Sequence, residues 1–76
     1  MSTNPRAALQ VTVNGAATEL PAPSTVADLV LHTFGSRSSD GVAIAVNGAV
    51  VPRSQWAHTA VPADAAVEIV TATQGG

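Results

Sequence analysis

The sequence predicts an α+β fold in which a mixed sheet of about four or five strands packs on a single helix. Three observations predict it. Leu9, Val11 and Val13 alternate with Gln10 and Thr12, and Val42, Ile44 and Val46 alternate with Ala43 and Ala45, which is the period of a strand. Each of these runs leads straight into Asn-Gly, at Asn14-Gly15 and Asn47-Gly48. That pair is a strong hairpin signal, because both central positions of a type I′ turn need positive φ. A single stretch, Val26 to Phe34, repeats apolar residues at helical spacing.

Taken in order, Met1 to Ala8 has no hydrophobic period and carries Asn4-Pro5, and is expected to be a disordered leader. The first strand follows, then the Asn14-Gly15 turn and a return strand from about Ala16 to Leu20. Pro21 and Pro23 stop pairing, since neither can donate to a ladder. Thr25-Val26-Ala27-Asp28 has the capping-box pattern, with Asp in place of the usual Glu. Val26, Leu29, Val30 and Phe34 then form one apolar stripe, His32 lies off it, and Gly35 ends the helix. A polar loop runs from Gly35 to Gly41. The next strand, Val42 to Val46, has small alternate residues that suit cover on both faces or a place at the sheet centre.

After the second turn comes a short strand, Ala49 to Val51, ended by Pro52. Ser54 is expected to cap one helical turn through Gln55, Trp56 and Ala57, with Trp56 packed at the core edge. Pro62-Ala63-Asp64-Ala65 reads as a turn, and a last strand runs from about Ala66 to Thr73. One helix can cover only one face of the sheet, so the other meets solvent or a partner. This is the ubiquitin-like β-grasp arrangement, with the last strand central and beside the first. The expected organisation is therefore a leader at 1–8, a β-grasp domain at 9–73 and a flexible reactive tail at 74–76.

A chain of 76 residues makes one domain with one small core. It buries about 60% of its unfolded surface, and its stability is expected on the order of 4–11 kcal/mol. The absence of cysteine excludes disulfides, thiolate metal sites and a cysteine nucleophile. Three scattered arginines, Arg6, Arg37 and Arg53, against five acidic residues give no basic footprint for nucleic acid. Lysine is absent, so the chain cannot accept an isopeptide bond on its own side chains. No run is long and apolar enough for a transmembrane helix and no signal pattern opens the chain, which makes the cytoplasm the expected compartment.

Catalytic constellations are missing from the pattern. His32 and His58 stand far apart with no carboxylate at ligand spacing, so no metal is expected. Ser54 precedes His58 by one helical turn, but no motif supplies an orienting acid or an oxyanion hole. The chemistry is expected instead at Gln74-Gly75-Gly76. Two glycines add nothing to a core and are costly to order, yet they make a thin tether ending in a carboxylate.

The run Ile44-Ala45-Val46-Asn47-Gly48, followed by Val50-Val51-Pro52-Arg53-Ser54-Gln55-Trp56, resembles the sulfur carrier proteins of thiamine (thiazole) biosynthesis, the ThiS family. The resemblance extends through Asp64, Val67-Glu68-Ile69-Val70 and Gly75-Gly76, and includes Asn14-Gly15 and Thr25-Val26-Ala27-Asp28-Leu29. It spans about residues 9–76. Three features differ: the leader is longer, Gln74 replaces a small or apolar residue, and the turn at Ala63-Asp64-Ala65 lacks a common glycine. The resemblance implies a carrier without its own active site, monomeric when free and binding no cofactor. Its Gly76 carboxylate is expected to be adenylated with ATP by an E1-like enzyme (ThiF-type) and converted to a thiocarboxylate. The sulfur then goes to thiazole synthase (ThiG-type), with a separate enzyme as sulfur donor. Gln74, Gly75, Gly76 and Arg53 are the expected partner contacts. Alternatives are a related β-grasp carrier for molybdopterin or cysteine synthesis, and a ubiquitin-like protein modifier; the Val-Pro-Arg-x-x-Trp run argues against the molybdopterin version.

Overall fold

Both Asn-Gly pairs reverse the chain as their chemistry demands. The computed structural model of the chain describes residues 8–35 and 40–71. Asn14 and Gly15 take φ of 51° and 85°, and Asn47 and Gly48 take 52° and 85°. These left-handed values cost glycine nothing and asparagine little. A Cβ added to Gly15 or Gly48 would meet nothing within 4 Å, so conformation and not crowding reserves the two positions.

The first turn joins β1 (Ala8–Val13) to β2 (Ala16–Pro21) in antiparallel register, from Val13 opposite Ala16 to Ala8 opposite Pro21. The second joins β3 (Val42–Val46) to β4 (Ala49–Val51), with Val46 opposite Ala49. Between the hairpins lies β5 (Ala66–Thr71). It runs parallel to β1 through Thr12 opposite Ala66 and Val13 opposite Val67. It runs antiparallel to β3, from Val42 opposite Thr71 to Val46 opposite Val67. Among the described residues the sheet order is β2-β1-β5-β3-β4, the ubiquitin-like β-grasp with the last strand central.

The helix α1 (Val26–Phe34) has the bounds its periodicity predicts. Thr25 Oγ1 accepts the Asp28 N–H at 3.1 Å, and Asp28 Oδ2 accepts the Thr25 N–H at 2.9 Å. Aspartate thus completes the box in place of glutamate. Thr25→Ala should cost about 1 kcal/mol through the lost cap, measured as a lower urea midpoint at unchanged slope. At the other end Gly35, at φ 62°, donates its N–H to Leu31 O at 2.7 Å.

The apolar stripe of α1 faces the sheet. Val26, Leu29 and Val30 are buried against Leu9, Val11, Leu20, Ile44, Val46 and Val67. Trp56, Val61 and Ala65 close the rest of the core. The Trp56 indole N–H donates to Val51 O at 3.0 Å, so the buried ring leaves no donor unpaired. The segment around it docks on the helix entrance, where Val26 N–H donates to Thr59 O at 2.8 Å and Val61 N–H to Ser24 O at 2.9 Å.

Several expectations need correcting. Ser54 does not cap: the turn is a 3-10 helix spanning Arg53–His58, with Pro52 in the N-cap position and no side-chain cap hydrogen bond. The Pro52 carbonyl accepts the Gln55 N–H at 2.8 Å, and its ring pre-sets a φ of −59°, so the turn starts without a capping hydroxyl. Of the two readings of β3 the second holds: it lies inside the sheet between β5 and β4, and it is not covered on both faces, because Ala43 is exposed and Ala45 half-buried. Their small size leaves an open outer face that also displays Val50 and Val70, 73% and 61% exposed. β1 begins one residue inside the expected leader, at Ala8, and β2 ends on Pro21, where a missing N–H costs least. The missing glycine near residue 64 is replaced by Asp64 itself, at φ 61°, whose N–H donates to Gln10 O at 2.7 Å. Residues 1–7, Arg6 included, residues 36–39, Arg37 included, and Ala72 and Thr73 lie outside the described residues.

Candidate functional site

β5 is the described element that precedes the Gly-Gly segment in the chain. Gln74, Gly75 and Gly76 themselves lie outside the described residues; the last described residue before them is Thr71.

The two edges of β5 are held by alternate residues. Towards β1, Thr12 N–H donates to Ala65 O at 3.0 Å and Asn14 N–H to Val67 O at 2.8 Å. The next residue in that series is Ile69, but at Asn14 the backbone has already turned into the hairpin. The Asn14 side chain takes over: Nδ2–H donates to Ile69 O at 3.1 Å, and Oδ1 accepts the Ile69 N–H at 2.8 Å. Towards β3, Asn47 N–H donates to Ala66 O at 2.8 Å while Asn47 Oδ1 accepts the Ala66 N–H at 2.9 Å. Asn47 therefore closes the start of β5 on one edge, and Asn14 extends the ladder near its end on the other.

Sequence reasoning assigned both asparagines to turns and missed this second task. The available signal was the residue type. Asp or Gly would serve a left-handed turn position equally well, whereas only an amide offers a donor and an acceptor together.

Arg53, the other expected contact, is exposed at the start of the 3-10 helix. Its guanidinium carbon sits 4.5 Å from the centroid of the Trp56 ring. Trp56 thus plugs the core with one face and offers π density to a cation on the surface. The positions of Arg53 and β5 are described; a meeting of Arg53 with residues 74–76 is not. His32 and His58 are both exposed, on α1 and the 3-10 helix, and among the described residues no three His, Asp or Glu side chains gather as a metal site. No helix among the described residues is long and apolar enough to cross a membrane.

Comparison with known proteins agrees with this architecture. No curated protein sequence matches the chain. Among solved structures it is similar to the thiamine biosynthesis protein (ThiS) from Geobacter metallireducens, with a TM-score of 0.72 and 27% identity. That match covers 90% of this chain and 100% of the other. The family model described as the ThiS family matches residues 9–76, the stretch over which the motifs themselves resemble that family. With a match running from the first strand through both terminal glycines, the chain belongs to the ThiS family.

Proposed function

We propose that the chain is a sulfur carrier of thiamine biosynthesis, a protein co-substrate whose reactive group is the Gly76 carboxylate. The observation that carries this reading is the fastening of β5. The strand is central, bonded on both edges and gripped by two asparagines, and its last described residue, Thr71, stands five residues before Gly76. A tether on such a base can enter a partner's site while the body stays docked outside it. Membership of the ThiS family and likeness to a thiamine biosynthesis protein support the pathway.

The chemistry follows from the weakness of a carboxylate as an electrophile. A carboxylate oxygen of Gly76 attacks the α-phosphorus of ATP in a ThiF-type adenylating enzyme and displaces pyrophosphate. The acyl adenylate so formed has AMP as a leaving group. Sulfur delivered at the sulfide level by a donor enzyme attacks the carbonyl carbon, expels AMP and leaves a thiocarboxylate. That soft nucleophile is then consumed by a ThiG-type thiazole synthase.

The test is intact-protein mass spectrometry after incubation with the adenylating enzyme, ATP and a sulfur source. A mass gain of one oxygen-to-sulfur exchange is expected. An unchanged mass beside an adenylating enzyme shown to be active would overturn the reading. Rescue of a deletion strain by thiazole separates this pathway from molybdopterin or cysteine synthesis, and Gly76 found linked to target lysines would instead indicate a protein modifier.

A further inference from the structure

We propose that Asn14 is a positioning residue for the tail chemistry, acting through Ile69 to hold the end of β5, the strand that precedes Gly76. This rests on the carrier reading above. The inference begins with a conflict at one residue. Asn14 must take a φ of 51° to make the hairpin, and from there the chain turns back into β2. A plain β1 would therefore stop supporting β5 at Val67, the partner of the Asn14 N–H. The side-chain amide is chemically a peptide group, with one C=O and an N–H, and it sits where the next peptide of β1 would be. Its two bonds to Ile69, 2.8 and 3.1 Å long, continue the parallel ladder past the point where the backbone ends.

The gain lies at the functional end of the strand. On the β3 edge, Ile69, Val70 and Thr71 stand opposite Ile44, Ala43 and Val42. With Asn14 in place, β5 is supported on both edges as far as Ile69, two residues before Thr71. Without it the β1 edge ends at Val67. Residues 69–71 would then be held from the β3 edge alone, and the strand that precedes Gly76 would open there more often. Effective concentration falls roughly as the three-halves power of the length of free chain, so the terminus would reach a docked partner's site less often, by up to about two- to threefold if the end stayed open.

Two variants separate the amide from the turn. Asn14→Gly keeps the left-handed conformation and removes the side chain. Asn14→Asp keeps the shape and the acceptor but sets a carboxylate oxygen against Ile69 O. Thr25→Ala, a cap on the far side of the core, serves as a control of similar expected stability loss. Amide hydrogen exchange at Ile69 should quicken roughly tenfold in Asn14→Gly, which removes its acceptor, and not in Thr25→Ala. With a ThiF-type enzyme and ATP, kcat for pyrophosphate release should fall by up to about two- to threefold in both Asn14 variants, with KM held. Thr25→Ala should retain the wild-type kcat below its melting temperature. Unchanged Ile69 exchange, or equal kcat in Asn14→Gly and Thr25→Ala, would overturn the proposal while leaving the carrier reading intact. A wild-type chain that is never adenylated would overturn both.

Discussion

A chain lacking only Gly76 will fold as the full chain does and will gain no sulfur. The shortened chain still ends on a glycine carboxylate, so its intrinsic reactivity is the same. What changes is reach. One residue spans about 3.3–3.6 Å, and misplacement of a reacting atom by about 1 Å can already cost on the order of a hundredfold. The carboxylate oxygen would then stop short of the α-phosphorus while the docked body stays where it was. The stability of the domain should not move, because the buried core of the described residues lies at or before Val67, nine residues ahead of Gly76. The measurement pairs intact mass after reaction with a urea midpoint. A truncated chain that takes up sulfur at the wild-type rate would remove Gly76 from the chemistry.

Leu29→Ala will bring the opposite result, a large loss of stability with the Gly-Gly segment unaltered. Leu29 is 0% exposed, at the middle of the α1 stripe, and is among the largest fully buried side chains of the described residues. Truncating a buried leucine costs about 2–5 kcal/mol, because the lost burial is joined by a cavity the neighbours fill only in part. Against a total on the order of 4–11 kcal/mol, that is a large share of the stability. Unfolding in urea should therefore begin at far lower concentration, and at the upper end of the range the chain would be unfolded in buffer. Leu31→Ala supplies the contrast two residues on. Leu31 is 63% exposed, and its truncation should shift stability by less than about 0.5 kcal/mol. Equal losses at the two positions would contradict the orientation of the helix.

The order of elements was legible because each is announced locally. The Asn-Gly pairs can hardly do anything but turn, the spacing of Val26, Leu29, Val30 and Phe34 admits only one buried face, and Thr25 with Asp28 marks the helix start. Ser54 misled for an equally local reason. A hydroxyl before an apolar residue resembles a cap, but proline with a free carbonyl starts a 3-10 turn unaided. The small residues of β3 were ambiguous because alanine fits a covered face and an open one alike. Whether Ala43 meets a second layer depends on elements elsewhere in the chain.

By itself the sequence determined two hairpins, one amphipathic helix, a last apolar strand and a Gly-Gly terminus. Short-range sterics and hydrophobic periodicity were sufficient for each. Only the tertiary structure decided what the turn asparagines do once β5 lies between the hairpins. Asn14 and Ile69 are 55 residues apart, and nothing near either residue specifies the other. Their pairing exists because the parallel register of β1 and β5 carries Ile69 past the end of β1, to within reach of the side-chain amide. A long-range register thus turns a local turn signal into the support for the strand that leads to Gly76.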